Sequence, residues 1–153
     1  MRLTLVRHIQ TLAPEGTCYG RSEPGLPPDH ESRHRELARA LAGETFHAIY
    51  SSPLRRCALL ADAIAGGRGV TCDDRLMELD FGLWEGLPWG EIERRPEAAP
   101  FLADWVHNPP PGGERFIDLI GRVGAFLGLA ERLPPEDFFK RSLNYGQISQ
   151  VEL

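Results

Sequence analysis

The chain has 153 residues and a mass of 17.1 kDa, a size at which one domain buries about 70% of the surface of its unfolded chain. Its net charge of -5 argues against a general nucleic-acid binder, and no apolar run reaches the length of a membrane span. Charge at Arg7 interrupts the first apolar run, which argues against a signal peptide. We therefore predict one cytoplasmic domain over residues 1–153, with no nucleic acid or membrane as a partner.

The first predicted element is a strand over residues 2–6, which ends at Arg7 and His8. Its apolar sequence predicts a buried parallel strand, and in open α/β sheets the reactive groups lie beyond the carboxyl ends of the strands. A neutral imidazole can attack phosphorus, and a guanidinium group donates hydrogen bonds to phosphate oxygens. The pair therefore predicts phosphoryl chemistry, although an ordinary loop start is the alternative.

A loop rich in Gly and Pro follows over residues 9–28, and helices and strands then alternate along the chain. The predicted helices span residues 29–41, 53–64, 89–95, 98–106 and 116–129, and the further predicted strands span 46–50, 70–72 and 145–153. Asp29 and Ser52 are predicted helix N-caps, and Gly66 is predicted to end the second helix. This alternation predicts an α/β fold with a parallel sheet.

Basic residues follow strand or turn ends at three places, namely Arg7, Arg21 and one of Arg55 and Arg56. If they converge, they form a phosphate clamp around His8, because positive potential in a cleft matters more than net charge. The local pattern does not choose between Arg55 and Arg56. Taken singly, each arginine fits a solvated surface position better than a binding site.

Among the acidic residues, Glu78 is flanked by the apolar residues Met77 and Leu79. An apolar setting favours the protonated carboxyl group, which can donate its proton to a leaving alkoxide oxygen. A surface or N-cap glutamate is the alternative. Glu85 and Glu114, each beside a glycine, are predicted to be turn and cap residues.

Metal-ligand spacing is nearly absent from the chain. His30 and His34 form the one histidine pair at helical spacing, and no pattern of carboxylates accompanies them, so we predict no metal site. The three cysteines, Cys18, Cys57 and Cys72, are odd in number and lack such spacing. They therefore predict reduced thiols rather than a disulfide framework.

Taken together, these motifs resemble the histidine phosphatase superfamily, also called phosphoglycerate mutase-like. Residues 5–11 resemble its Arg-His-Gly-x-Thr signature, residues 51–57 its Ser-Pro-Leu-x-Arg-Ala turn, and residues 76–86 its Leu-x-Glu…Gly-x-x-Glu-Gly segment. The resemblance implies a three-layer αβα sandwich with a mostly parallel central sheet. It covers nearly all of the chain, with the motifs in the expected order.

The resemblance also implies a role for each site residue. His8 forms a phosphohistidine, Arg7 and Arg56 hold the phosphate oxygens, and Glu78 protonates the leaving alcohol. The residues implied in binding the phosphate are Arg7, Thr11, Arg21 and Arg56. The resemblance implies neither a metal nor another cofactor.

Within the superfamily, residues 18–21 and 111–116 resemble the α-ribazole phosphatase branch, which removes a 5′-phosphate late in cobalamin biosynthesis. The expected partner is therefore a small phosphorylated metabolite. A non-catalytic phosphate-ester binding protein of the same fold and a phosphoglycerate mutase are the alternatives. The sequence leaves the oligomeric state open, with a homodimer among the possibilities.

Two positions depart from the pattern of the superfamily. Ile9 stands where the signature usually has Gly, which is a minor change. The larger departure is a Thr-His-Gly strand, carrying a second histidine, that the superfamily has after its long C-terminal helix and that is missing here near residues 130–135. We expect the molecule to contain residues that this sequence omits, and a deleted, inactive variant is the alternative.

Overall fold

The computed structural model describes residues 2–128 and 144–152 of the chain. Its strands are β1 (Arg2–Val6), β2 (Tyr50–Ser51), β3 (Thr71–Cys72) and β4 (Ile148–Glu152). Its helices are α1 (His30–Ala40), α2 (Arg55–Ala65), α3 (Trp89–Ile92), α4 (Ala99–Ala103) and α5 (Phe116–Leu127). Three 3-10 turns lie at Asp74–Leu76, Gly82–Trp84 and Pro96–Ala98. The junction near residues 130–135 lies outside the described residues.

The chain divides into two compact units. Of the described residues, the first unit contains 2–12, 25–73 and 144–152, and the second unit contains 13–24 and 74–128. The prediction of a single domain over residues 1–153 stays a prediction. Within the described ranges, no helix is both long enough and apolar enough to cross a membrane.

In the first unit, β1 pairs with β4, and the pairing is antiparallel from Arg2 opposite Glu152 to Val6 opposite Ile148. The prediction of a buried parallel strand is wrong here, because no residue of β1 is buried and Leu5 is 41% exposed. A strand is buried on both faces only when other strands and layers cover it, and within the described residues β1 has β4 alone as its strand partner.

The second strand pair of the first unit is parallel, with Tyr50 opposite Thr71 and Ser51 opposite Cys72. Helix α2 connects β2 to β3, which is the βαβ connection predicted from the alternating pattern. Strand β2 lies at the end of the predicted range 46–50 and extends one residue past it.

The sequence predicts that His34, Leu37, Ala38 and Leu41 lie on one face of α1. Helices α1 and α2 pack against each other in the first unit, and the burial of His34 and Leu41 confirms this face. Gly66 ends α2 in the left-handed conformation, as predicted, with φ of +57°. The start of α2 differs from the prediction. Its N-cap is Leu54 instead of Ser52, and the Ser52 hydroxyl accepts a hydrogen bond from the Leu54 N–H at 3.3 Å in the preceding turn.

Asp29 occupies the N-cap position of α1, but its side chain makes no capping hydrogen bond. Its carboxylate instead accepts a hydrogen bond from Nε of Arg33 at 2.8 Å, one turn along the helix. The position of the cap is therefore as predicted, whereas the interaction that the cap residue makes is different.

The second unit has an apolar core around Trp84, which is 1% exposed. The other buried members of this cluster are Cys18, Ile92, Ala98 and Phe101. The rings of Trp84 and Phe101 meet edge to face, with centroids 5.1 Å apart. Helices α3 and α4 are shorter than predicted, since Pro96 begins a separate 3-10 turn between them.

The cysteines of the chain are free, as predicted. Burial in the core of the second unit, together with the nearby charge of Glu85, raises the pKa of Cys18 to about 12. The Cys18 thiol is therefore neutral at physiological pH, and it belongs to the core rather than to reactive chemistry.

Candidate functional site

His8 follows β1 directly and is half-buried in the first unit. Its Nδ1 lies 2.7 Å from the carbonyl oxygen of Ile9, and because a carbonyl only accepts hydrogen bonds, Nδ1 carries the hydrogen. In the neutral ring the lone pair is then on Nε2. The local backbone thus selects the tautomer that presents Nε2 as a nucleophile.

Tyr145, from the turn before β4, lies beside both residues that follow β1. Its ring centroid is 5.5 Å from that of His8, and the Arg7 guanidinium carbon lies 4.2 Å from the centroid of the Tyr145 ring. The second distance is that of a cation–π contact, which attracts the guanidinium without neutralising it. The Gly146 N–H donates to the carbonyl oxygen of His8 at 3.1 Å, so the same turn also holds the backbone of the site.

The turn between β2 and α2 places its two neighbouring arginines in different surroundings. Arg55 is exposed, whereas Arg56 is only 2% exposed, although the two are neighbours in the first turn of α2. Arginine is almost never fully buried unless it is paired, so an enclosed guanidinium marks a special position. Ser52, in the same turn, is buried too.

Thr11 is 6% exposed in the first unit. Four of the predicted site residues therefore belong to one compact unit, namely Arg7, His8, Thr11 and Arg56. The other two, Arg21 and Glu78, belong to the second unit.

Glu78 follows the 3-10 turn Asp74–Leu76 and is exposed, although its neighbour Leu79 is buried. The apolar enclosure of its carboxyl group that the flanking residues predict is therefore wrong within the second unit. The Oε1 atom of Glu78 accepts a hydrogen bond from the N–H of Leu79 at 3.1 Å, which favours one orientation of the carboxyl group.

Arg21 lies among carboxylates of the second unit. Its Nη1 is 3.4 Å from Oδ2 of Asp80, and its Nη2 is 3.3 Å from Oε2 of Glu114. Its Nε also donates to the carbonyl oxygen of Glu78 at 3.5 Å. Phosphate binding by Arg21 stays a prediction, and any phosphate there competes with these carboxylates for the guanidinium.

Glu85 is the turn residue that its glycine neighbour predicts. Its carboxylate accepts hydrogen bonds from the backbone N–H groups of Gly20, Arg21 and Ser22, at 2.9 to 3.1 Å, and from the Ser22 hydroxyl at 2.5 Å. Burial opposes ionisation, but the hydrogen bonds from Ser22, Gly20 and Arg21 prevail and hold the pKa of Glu85 below its ordinary value. Glu85 therefore stays charged and fixes the loop at residues 20–22.

Glu114 is not a helix cap, because the N-cap of α5 is Arg115. Its carboxylate pairs with Arg122 instead, with Oε1 2.7 Å from Nε and Oε2 2.9 Å from Nη2. The motifs missed both Arg122 and Tyr145. A signal for Arg122 exists, since a single charged residue stands between Leu119 and Phe126 on the apolar face of α5; no comparable signal marks Tyr145.

The pair of histidines on α1 is engaged locally. His30 donates from Nδ1 to the Pro27 carbonyl oxygen at 2.9 Å, and its ring lies edge to face with His34, at 5.6 Å. Burial, and then the neighbouring His30, lower the pKa of His34. The part of the chain that the structure describes contains no group of three or more side chains suited to hold a metal ion.

Comparison with known proteins identifies what the chain is similar to. The family model of the histidine phosphatase superfamily (branch 1) matches residues 3–149. The chain is 35% identical over 135 residues to phosphoserine phosphatase 1 of Hydrogenobacter thermophilus, which covers 83% of this chain and 63% of that protein. It thus spans less than two thirds of the length of this curated relative.

Solved structures show the same fold. The α-ribazole phosphatase from Shigella flexneri superposes with a TM-score of 0.89 at 23% identity, over all of this chain and 91% of that one. A putative α-ribazole-5′-P phosphatase from Escherichia coli K-12 superposes with a TM-score of 0.76 at 28% identity, over 84% of this chain and 66% of that one. The resemblance drawn from the motifs and the predicted phosphoglycerate mutase-like α/β fold are confirmed.

Proposed function

Because the chain belongs to the histidine phosphatase superfamily (branch 1), we propose that it hydrolyses the phosphate monoester of a small metabolite through a phosphohistidine intermediate. The observation that carries this proposal is the hydrogen bond from Nδ1 of His8 to the Ile9 carbonyl oxygen. In the neutral ring it leaves the lone pair on Nε2, and this is the form that attacks phosphorus.

In the first step, Nε2 of His8 forms a bond to phosphorus while the bond from phosphorus to the ester oxygen breaks. The carboxyl group of Glu78 gives its proton to the departing oxygen, which leaves as an alcohol. In the second step, the Glu78 carboxylate accepts a proton from water, whose oxygen bonds to phosphorus as the P–N bond breaks. Inorganic phosphate and neutral His8 result, and Glu78 is protonated again.

Arg7 and Arg56 are proposed to stabilise the charge on the three non-bridging phosphate oxygens. The burial of Arg56 supports this role, because a desolvated guanidinium interacts with an anion more strongly than an exposed one. The contact of Arg7 with the Tyr145 ring supports it as well, since a cation–π contact orients the guanidinium. Thr11 and Arg21 complete the proposed set of phosphate-binding residues.

For the substrate, we propose α-ribazole 5′-phosphate or a related precursor of a cobamide. Residues 18–21 and 111–116, which resemble the α-ribazole phosphatase branch, support it, as does the similarity to the Escherichia coli protein. The relative from Hydrogenobacter is a phosphoserine phosphatase, so kcat/KM for α-ribazole 5′-phosphate and for phosphoserine should be compared directly. A preference for phosphoserine would overturn the proposed substrate and leave the proposed reaction in place.

The reaction itself is tested by rapid quenching of the protein mixed with p-nitrophenyl phosphate. We expect a phosphoprotein whose phosphate is labile in acid and stable in alkali. We also expect an initial burst of p-nitrophenol equal in amount to the phosphoprotein. Absence of both phosphoprotein and steady turnover would overturn the proposal.

A non-catalytic phosphate-ester binding protein is the second candidate. It is favoured by the missing Thr-His-Gly segment near residues 130–135. The intact mass of the purified protein separates the two candidates. A mass clearly above 17.1 kDa would favour the phosphatase, and a mass of 17.1 kDa with phosphate binding but without turnover would favour the binding protein.

A further inference from the structure

The guanidinium group of Arg122, on α5, uses all of its hydrogen-bond donors within the second unit. Nη1 donates to the carbonyl oxygens of Arg75 at 2.8 Å and Met77 at 2.6 Å, and Nη2 donates to that of Glu78 at 3.0 Å. The remaining two N–H groups, on Nε and Nη2, donate to the carboxylate of Glu114. A guanidinium has five N–H groups, so the five contacts saturate it.

These three carbonyl groups belong to the short segment that leads into Glu78. Arg122 and Glu114 lie 44 and 36 residues further along the chain, and their side chains are only 16% and 15% exposed. Hydrogen bonds from a charged donor in a water-poor setting are stronger than those between neutral groups. The segment 75–78 is therefore held in place by a side chain of α5 as well as by its own local turn.

Glu114 fixes the orientation of Arg122. The pairing is bidentate, which sets the plane of the guanidinium as well as its position. Burial opposes the ionisation of Glu114, but the hydrogen bond and charge of Arg122, with a smaller contribution from Arg21, hold the pKa of Glu114 below its ordinary value. The pair thus stays ionised at neutral pH.

The backbone that follows Glu78 is enclosed by two glycines. A Cβ atom on Gly20 would lie 1.7 Å from the carbonyl oxygen of Leu79, and a Cβ atom on Gly113 would lie 2.4 Å from that of Asp80. No side chain fits at such distances, so the backbone of this segment is packed directly against other backbone. The main chain on both sides of Glu78 is therefore immobilised, while the Glu78 side chain itself is exposed.

We propose that Arg122, oriented by Glu114, is a positioning residue for Glu78. Its three hydrogen bonds to the carbonyl oxygens of residues 75, 77 and 78 set the main chain from which the carboxyl group extends, and hence the direction in which that group transfers its proton. This inference rests on the proposed function, in which Glu78 protonates the leaving alcohol. A displacement of about 1 Å in such a group costs about a hundredfold in rate.

The test uses two substrates that differ in their need for a proton. The leaving group of an alkyl phosphate is a poorly stabilised alkoxide, which requires a general acid. The leaving group of p-nitrophenyl phosphate is p-nitrophenolate, which departs readily without one. We expect Arg122→Gln to lower kcat/KM for the alkyl phosphate by about ten- to a hundredfold, and to change kcat/KM for p-nitrophenyl phosphate only slightly. The value of kcat/KM reports only the steps up to departure of the leaving group. The later hydrolysis of the phosphohistidine therefore does not affect it.

Two further variants sharpen the result. Glu114→Gln removes the charge that orients Arg122, and we expect the same selective loss on the alkyl phosphate, to a smaller degree. Arg115→Gln is the matched control, because Arg115 pairs with Asp118 at the start of the same helix, at 2.7 Å for both hydrogen bonds, and both groups are about half exposed. We expect this control to leave both substrates unaffected.

The outcomes separate the inference from the function on which it rests. Equal losses on both substrates in an active protein would show a merely structural role and overturn the positioning inference alone. An inactive wild-type protein would overturn the proposed function, and the inference with it. If Arg122→Gln does not fold, as judged by circular dichroism, Arg122→Lys and Glu114→Gln decide the question by the same ratio of the two substrates.

Discussion

The two compact units use their charged groups in different ways. In the first unit, His8 is held in one tautomer by a carbonyl oxygen, and Arg7 lies against the ring of Tyr145, a contact that does not neutralise the guanidinium. In the second unit, the carboxylate of Glu85 is surrounded by N–H groups, and that of Glu114 is paired with Arg122. The comparison supports the proposal that the first unit supplies reactive and anion-binding groups, whereas Glu85 and Arg122 of the second unit hold its backbone in place.

The largest loss of activity is expected from removal of the proposed nucleophile. We expect His8→Ala to lower kcat by at least about a thousandfold, since loss of a nucleophile removes the covalent route altogether. The trapped phosphoprotein should disappear as well. His47→Ala is the control, because His47 is an exposed histidine of the same unit. Residual phosphoprotein in His8→Ala would assign the covalent step to another residue.

The neighbouring arginines of α2 offer a second test. We expect Arg56→Ala to lower kcat/KM by about a hundredfold or more, since it removes a buried cation proposed to stabilise the transferring phosphate. Arg55→Ala should change it little, because Arg55 is exposed. Steady-state kinetics on both purified variants, with circular dichroism to confirm folding, provides the measurement. Similar losses in the two variants would contradict the distinction drawn from burial.

A third test addresses the structural carboxylates of the second unit. The pKa values of Glu85 and Glu114 are both lowered, so their contribution to stability is complete above the ordinary glutamate pKa of about 4.3 and is lost as the pH falls through the lower, folded-state values. We expect Glu85→Gln to reduce the free energy of unfolding at pH 7 by about 1–3 kcal/mol. We also expect the free energy of unfolding of this variant to fall less steeply than that of the wild type as the pH is lowered.

Urea unfolding between pH 7 and pH 3 measures both effects. Glu15→Gln is the matched control, since Glu15 is an exposed glutamate of the same unit. A Glu85→Gln variant with unchanged stability and unchanged acid sensitivity would show that the hydrogen bonds to residues 20–22 do not stabilise the fold.

The smallest effect is expected at Tyr145. A cation–π contact contributes about 0.5–1 kcal/mol, so Tyr145→Leu should weaken the binding of inorganic phosphate about two- to fivefold by loosening Arg7. Tyr145→Phe keeps the aromatic face and should bind phosphate as the wild type does. Isothermal titration with inorganic phosphate gives the dissociation constants. Equal affinity of the leucine and phenylalanine variants would show that the aromatic ring of Tyr145 does not contribute to phosphate binding.

Local patterns predicted several parts of the structure correctly because a local cause decides them. The helix ending at Gly66 follows from the left-handed conformation that glycine adopts readily, and the apolar face of α1 follows from its periodicity. Glu85 was predicted to be a turn residue from its adjacent glycine. The boundaries were less accurate, as at α2, where the helix begins two residues after the predicted Pro53.

The predicted burial of β1 and the predicted apolar enclosure of the Glu78 carboxyl group were wrong for a common reason. The apolar sequence of β1 states what the strand would bury, but the strands and layers that pack on it decide how much it does bury. Likewise, Leu79 is buried and its neighbour Glu78 is exposed, so apolar neighbours in the chain do not enclose the carboxyl group. Burial is a property of the whole fold, and flanking residues alone do not report it.

Residue types alone predict the order of the motifs, the family to which they belong and the position of His8 at the end of a strand. These features depend on residue types at short spacings along the chain. Only the tertiary structure distinguished buried Arg56 from exposed Arg55, brought Tyr145 to Arg7 and His8, and joined Arg122 to the segment leading into Glu78. These contacts join residues that are far apart in the chain or depend on what covers a side chain, so they form only when the elements pack together.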